Sequence, residues 1–290
     1  MINIEENVIL AKYCTWHVGG PARYFARVDT IEKLQTALAL AKEKQQPYFI
    51  LGSGSNVLFP DAGYPGLIIK IEGQKITIDE NKLIVEAGAI ARLAVLKAAE
   101  MNLGGMEHLA GIPGTIGGLV RGNAGAFGTE TKDLLSEVKV LHATPEGWRE
   151  ETLSKADISF AYRDSLFKRE TGKYIIWEAT FLLQSRPKKE ILRLVDEDLA
   201  ARKDKQPYMF PSAGSVFKNP SKEISAGKII EECGCKGLKI GGAEVSTQHA
   251  NFILNKGDAT AVDILALINE IKKRVFDQKG VKLVEEVIII

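Results

Sequence analysis

The sequence predicts an α+β protein, and three observations predict it. Short apolar strands such as "PYFIL" and "GLIIKI" stand beside segments of helical periodicity, yet the two kinds do not alternate as strict βαβ units. No stretch repeats at a fixed period and none is of low complexity, so solenoid and fibrous builds are excluded. The 290 residues are 45% hydrophobic and 26% charged, the balance of a globular chain with a sizeable core and about two domains.

The elements follow in order. Asp29 with Glu32 makes a capping-box-like start, after which Ile31, Leu34, Leu38 and Ala41 share one helical face. Residues 47–51 read as a buried strand running into a glycine-bearing loop, "GSGSNVLF". Residues 66–71, 75–79 and 82–87 are short strands parted by turn formers. A helix spans 91–101 and stops before Gly104 and Gly105. Strands are expected at 138–142 and 174–183, and Pro187 opens a helix with Ile191, Leu192, Val195 and Leu199 on one side. "RKDKQPYMFPSAG", residues 202–214, turns to charge and proline and marks a domain boundary, with residues 1–203 before it and 204–290 after. Beyond it come a helix at 225–233, a strand at 251–255 and a helix at 261–276. Thr260 and Asp263 cap that last helix, and Ile264, Ile268, Ile271 and Val275 form its stripe. Residues 282–290 close the chain as a strand.

Charge and cysteines narrow the function classes. A net charge of +1 carries no electrostatic footprint for nucleic acid or an anionic membrane, so neither is an expected partner. No apolar run nears the roughly 18 residues that cross a bilayer. The opening "MINIEENVILAK" is acidic where a secretory signal is basic, and Cys14, Cys233 and Cys235 are an odd, sparse set that fits a reducing compartment. A cytoplasmic protein is expected. "CGC" lacks a second Cys/His pair, so packing is expected there, and no metal site anywhere. His17, His108, His142 and His249 are scattered and read as structural or surface residues.

One segment asks for a ligand. "LAGIPGTIGGLVRGNAGAFG", residues 109–128, sets seven glycines among Leu, Ile, Val and Phe. A glycine costs roughly 0.5–1 kcal/mol relative to alanine in an ordered element, so bare backbone serves either φ > 0 turns or a ligand approaching main-chain N–H groups. The dinucleotide fingerprint fails on the other loop, Gly52-Ser53-Gly54-Ser55-Asn56-Val57, because its third glycine falls on Val57 and no helix opens there. A G-x-x-x-x-G-K-[ST] loop is absent. What remains is a pair of glycine- and Ser/Thr-lined loops able to offer donors to a diphosphate, with plain tight turns as the alternative.

Six ordered motifs then carry a resemblance: "TWHVGGPA" at 15–22, "LGSGSNVL" at 51–58, the segment 109–128, "FAYRDSLFK" at 160–168, "SAGSVFKNP" at 212–220 and the terminal "EEV". Together they resemble the UDP-N-acetylenolpyruvoylglucosamine reductase family over essentially the whole chain. The missing insertion after the Arg163 region is similar to the shorter, second type. The resemblance implies a two-lobed FAD-binding domain of the PCMH (vanillyl-alcohol-oxidase-like) type over 1–203 and a smaller substrate-binding domain over 204–290. It implies FAD, held without a covalent bond, NADPH as co-substrate, and UDP-N-acetylglucosamine enolpyruvate as the substrate reduced to UDP-N-acetylmuramate for the cell wall. No obligate protein partner is implied.

The same resemblance assigns residues. Gly52, Ser53, Gly54, Ser55, Asn56, Gly114, Thr115, Gly117, Gly118, Asn123 and Gly125 would wrap FAD. Arg121 departs from the family by standing where a smaller or apolar residue is expected. Arg163 would clamp the substrate carboxylate, since a guanidinium is always charged and bidentate; by residue type alone it could equally pair with Asp164. Ser215 would be the proton donor, where composition alone reads a turn serine. Glu286 is the family's glutamate before valine, with Glu285 as its neighbour and alternative. Tyr162, Lys218 and Asn219 would touch the UDP-sugar. A related flavin oxidase is the competing enzyme, but several of those tether the flavin through a histidine in the first loop, and here that loop carries Ser53 and Ser55. A nucleotide-sugar binder without catalysis is the third reading, and it needs no proton donor.

Overall fold

In the computed structural model, which describes residues 2–221 and 223–290, the chain divides into two compact units. The first is built chiefly of Ala26–Ser53 and Ile68–Arg202, the second of Glu5–Phe25, Gly54–Leu67 and Lys203–Ile290.

The first unit holds a five-stranded antiparallel sheet in the order Gly147–Ser154, Leu135–Thr144, Tyr174–Leu182, Lys82–Glu86, Ile76–Asp79. Ala179 faces Val138 on one side and Val85 on the other, and Phe181 faces Leu83; all five residues are fully buried. Such cross-strand apolar pairs are what hold a register against slippage. Helix α1 (Ile31–Glu43) buries Leu34, Ala37, Leu38 and Ala41, as its periodicity requires. Its cap differs from the expected Asp29–Glu32 box: Thr30 is the residue next to the helix, so its hydroxyl accepts from Lys33 N, while Asp29 pairs with Lys33 Nζ at 2.6 Å. Helix α2 (Ala91–Glu100) buries an alanine-rich face.

Helix α3 (Ile116–Gly122) was not foreseen, because three of its seven residues are glycine. It lies against strands Tyr174–Leu182 and Lys82–Glu86. Two short turns, α4 (Thr131–Leu134) and α5 (Leu166–Arg169), follow, then α6 (Lys188–Lys205). On α6 the buried row is narrower than the expected stripe: Ile191 and Val195 are buried, and the third buried member is Asp198, whose carboxylate meets His108 Nδ1 at 2.7 Å. Strands Ile4–Ile9 and Pro21–Val28 were also not foreseen; they form a four-stranded sheet with Tyr64–Ile71 and Tyr48–Leu51.

The second unit packs α7 (Ala226–Glu232) and α8 (Ala261–Lys279) with a three-stranded sheet of Lys239–Ile240, Ala243–Val245 and Ile253–Asn255. Ile264, Leu267, Ile268, Ile271 and Val275 of α8 are buried, at roughly 1.5–3 kcal/mol each for a full-sized aliphatic side chain. The Thr260–Asp263 capping box is present, and Asp61 adds to it by accepting from Ala261 N at 2.8 Å and Val262 N at 3.1 Å. Trp16, fully buried, donates from Nε1 to Ile253 O at 2.8 Å. The C-terminal tail is extended, but only Ile288–Ile289 forms a strand, parallel to Val57–Leu58. Its partners change too quickly for a longer ladder: Val284 and Glu286 bond to Lys218 and Val216, Ile288 and Ile290 to Asn56 and Leu58.

Candidate active site

The first glycine loop opens where strand Tyr48–Leu51 ends. A Cβ on Gly52 would lie 2.6 Å from Thr115 Oγ1, so this loop begins directly against the second one. Lys70 donates from Nζ to Gly52 O at 3.0 Å, and burial holds its ammonium below the ordinary lysine range. The second loop is laced to residues 87–91: Ala91 N donates to Gly114 O, Ile116 N to Ala89 O and Gly117 N to Ala87 O. The Gly117 amide is therefore used inside the protein, and a Cβ there would fall 2.9 Å from Ala87 Cβ. Ile116, Leu119 and Val120 are at most 2% exposed and fill the core.

Gly118 is different. The nearest atom to a Cβ there is Thr115 Oγ1 at 3.7 Å, an ordinary contact, so the protein itself does not require glycine at this helical position. A helix glycine costs about 1 kcal/mol relative to alanine, a cost that no packing contact inside the protein accounts for here. The loops thus fit a flat, phosphate-bearing cofactor such as FAD: Gly52 and Thr115 meet at their base, and Gly118 leaves a bare step beside them.

At the end of α3 the chain turns on Asn123, φ +43, and its fully buried amide is committed to the protein. Its Nδ2 donates to Glu130 Oε2 and Ala161 O, and its Oδ1 accepts from Lys132 N. Gly125 lies where a Cβ would strike Thr129 O at 2.5 Å. "FAYRDS" docks here. Ala161 and Asp164 bond to each other's backbone across a tight turn that holds Arg163 at φ +50, in the left-handed region. Residues held there cost of order 1–3 kcal/mol and concentrate at functional sites. Arg163 Nη2 donates to Gly125 O at 2.9 Å and the guanidinium lies 5.5 Å from the centre of the Tyr162 ring; Ser165 Oγ donates to Arg121 O at 2.6 Å. The Asp164 carboxylate takes Arg169. Arg121 donates to Thr171 Oγ1 at 3.2 Å. In the first unit the fold thus brings together Gly52, Thr115, Gly118, Asn123, Gly125, Tyr162 and Arg163.

The second unit assembles the rest. Gly54 has φ +68, and a Cβ would fall 1.9 Å from Tyr13 O, so no other residue fits without moving backbone. Asn56 Nδ2 donates to Glu286 O at 3.1 Å and its own carbonyl accepts from Ile288 N. Ser55 is half-buried, as is Ser53, the last residue of the first unit before the chain crosses. Ser215, also half-buried, follows Gly214 at φ +74. The segment after it pairs antiparallel with the tail: Glu286 N donates to Val216 O at 2.8 Å and Lys218 N to Val284 O at 2.9 Å. Glu285 forms an ion pair with Lys272 of α8 at 2.6 Å, which commits its carboxylate to that helix. Asn219 Oδ1 accepts from Ala226 N at 3.0 Å at the start of α7.

Lys70, Lys272 and Asn251, whose buried side chain bonds to Phe217, were not picked out from the sequence. Lys70 carried a signal, a cation inside "GLIIKI"; the other two carried none. Among the described residues no group of three or more His, Cys, Asp or Glu could hold a metal ion. Burial raises the thiol pKa of Cys14 and Cys235, keeping both protonated.

A family model described as "UDP-N-acetylenolpyruvoylglucosamine reductase, C-terminal domain" matches residues 206–290, and one described as "FAD binding domain" matches 22–147. A relative from Prochlorococcus marinus, named UDP-N-acetylenolpyruvoylglucosamine reductase, is 44% identical over 292 residues and covers 99% of this chain and 93% of its own. One of the same name from Lachnoclostridium phytofermentans is 41% identical over 290 residues, covering 98% and 92%. The crystal structure of the Thermus caldophilus UDP-N-acetylenolpyruvylglucosamine reductase superposes with a TM-score of 0.83 at 37% identity, covering 100% of this chain and 99% of that one. A solvent-stable cholesterol oxidase, 13% identical, shares the fold alone over 63% of this chain and 38% of its own, with a TM-score of 0.52. The α+β class with a PCMH-type FAD-binding fold stands, and the chain belongs to the UDP-N-acetylenolpyruvoylglucosamine reductase family.

Proposed function

We propose that this chain reduces the enolpyruvyl group of UDP-N-acetylglucosamine enolpyruvate to UDP-N-acetylmuramate, with NADPH as reductant, in the making of peptidoglycan precursors. The observation that carries the reading is the pairing of the segment after Ser215 with the tail at Glu286, in a chain alike over its whole length to reductases of that name. Gly52, Ser53, Gly54, Ser55, Asn56, Gly114, Thr115, Gly117, Gly118, Asn123 and Gly125 form the FAD-holding set, some as donors, some, such as Gly117, by leaving space, and Asn123, bonded inside the protein, by shaping the turn after α3. FAD is held without a covalent bond, for the first loop has no histidine or cysteine to tether it. When bound, FAD supplies a hydride carrier between NADPH and the vinyl carbon.

Hydride addition there leaves negative charge beside the substrate carboxylate, so the chain must hold an anion and deliver a proton. Arg163 grips the carboxylate through its bidentate fork. Ser215 gives the proton from Oγ to the carbon next to the one reduced, and Glu286 is the second acid of the pair. Tyr162, Lys218 and Asn219 hold the UDP-sugar. In these terms residues 1–203 are the two-lobed FAD-binding part and 204–290 the substrate-binding part. The enzyme works in the cytoplasm and needs no nucleic acid, membrane or obligate protein partner; among the described residues no helix is long and apolar enough to cross a membrane. The test is direct: NADPH bleaches the purified yellow protein under anaerobic conditions, and adding the enolpyruvyl sugar restores the colour. A bleached protein that stays bleached with the sugar overturns the reading.

A further inference from the structure

Asn251 lies at the head of "NFILN", is 4% exposed, and spends both ends of its amide on one residue. Its Oδ1 accepts from Phe217 N at 2.9 Å and its Nδ2 donates to Phe217 O at 2.8 Å. Its own carbonyl accepts from Val216 N at 2.9 Å. On the other edge of the same segment, Val216 O accepts from Glu286 N and Lys218 N donates to Val284 O. Residues 216–218 are therefore an extended segment bonded on both sides, to the tail at 284–286 on one and to the side chain and carbonyl of Asn251 on the other. A primary amide does this at any working pH, since it carries a donor and an acceptor at the spacing of a peptide group and does not ionise. Asn251 is itself steadied, because its N–H donates to His249 Nδ1 at 3.2 Å.

We infer that Asn251 is a positioning residue for Ser215: it locks the peptide groups that follow the serine and so fixes the point from which Oγ gives its proton. This rests on the reading of Ser215 as proton donor. Removal of the amide leaves the N–H and C=O of Phe217, a residue 1% exposed, without partners in the interior, and the segment shifts to find others. Glutamine carries the same group one carbon too far. Aspartate keeps the acceptor, but when ionised it sets an oxygen against the Phe217 carbonyl; protonated, it regains both bonds.

The experiment compares Ser215→Ala, Asn251→Ala, the double variant and Asn251→Asp. In each, NADPH bleaching and colour return with the enolpyruvyl sugar are followed separately, and amide hydrogen exchange over 215–218 is measured on FAD-free protein. Ser215→Ala slows colour return by about 10²–10⁴-fold, the range of a placed general acid. Asn251→Ala slows it by about 10–10²-fold through misplacement. It leaves bleaching unchanged and speeds exchange at Val216 and Phe217. In the double variant the second change adds little, since both act through one proton transfer. Asn251→Asp, which keeps one of the two bonds and so is the safer variant to fold, gains rate relative to the native protein as pH falls, while Asn251→Ala does not. Normal colour return in Ser215→Ala overturns the donor reading. A slow Ser215→Ala with normal Asn251 variants, additive losses, or equal slowing of bleaching and colour return in Asn251→Ala overturns the positioning role alone.

Discussion

Arg163 is held by two opposing demands. Its backbone is in the left-handed region at φ +50, and its guanidinium is bound at one nitrogen to Gly125 O. A lysine at 163 keeps the charge and loses the fork, and its single ammonium cannot both bond Gly125 and grip a carboxylate in a plane. We predict that Arg163→Lys lowers the sugar-dependent rate by about 10²-fold or more, with NADPH bleaching intact. Near-native rates would make the residue structural. His249 offers a residue-scale test of stability. Burial lowers its pKa from the ordinary 6.5, and its Nδ1 accepts from Asn251 N, so the folded protein needs the neutral ring. A lowered folded pKa means full stability above pH 6.5 and loss as pH falls from there through the folded value, because the unfolded chain takes the proton first. His249→Gln, which keeps an acceptor but does not titrate, is expected to flatten the fall in urea midpoint across this window. An equally steep fall would place the acid sensitivity elsewhere.

Elements with local signals were legible, and elements built by distant partners were not. The Thr260–Asp263 box and the Ile264, Ile268, Ile271, Val275 stripe lie within one stretch of chain, and α8 forms where they say. On α1 the stripe was right and the capping residue one place off, since Asp29 and Thr30 are both good caps and only geometry chooses. Glycine hid α3, whose helix is held by bonds from Ile116 and Gly117 to residues 87–89 rather than by propensity. The tail's alternating partners could not be read either, being some 70 residues away at Val216 and more than 200 away at Asn56. The roles of Arg163, Ser215 and Glu286 were suggested by likeness to a family, for nothing in their spacing says that Val216 pairs with Glu286. Asp61 makes the same point for α8, capping it from 200 residues away. Asp61→Ala removes acceptors from two first-turn amides, and we predict a loss of roughly 1–2 kcal/mol, with Asp61→Asn losing less. A denaturant midpoint unchanged at constant m value would show that water serves those amides equally well.

At the scale of the molecule, the chain crosses between its two units after Ile4, Phe25, Ser53, Leu67 and Arg202. Nothing in composition marks the first four crossings, because three fall inside continuous strands, Ile4–Ile9, Pro21–Val28 and Tyr64–Ile71, and one inside the first glycine loop. The consequence is physical. Residues 204–290, the proposed substrate part, complete their core with segments from far upstream. Trp16 fills it and bonds to Ile253 O, Asn255 Nδ2 donates to Trp16 O, Asp61 caps α8, and Ile288 pairs beside Val57. Without residues 5–25 and 54–67, the isolated segment leaves the carbonyl of Ile253 and the amide of Asn255 without their Trp16 partners, and it exposes apolar surface that Trp16 would have covered. An 87-residue piece has little stability to spare for such losses, since domains retain only roughly 0.05–0.15 kcal/mol per residue. We predict that residues 204–290 expressed alone show no cooperative thermal transition by far-UV circular dichroism and only weak amide protection along 261–279. A single-chain version that joins 5–25 and 54–67 to this segment through flexible linkers is expected to regain both. A sharp transition in the segment alone would mean that α8 and its three-stranded sheet suffice, and that the upstream pieces fold onto a unit already formed.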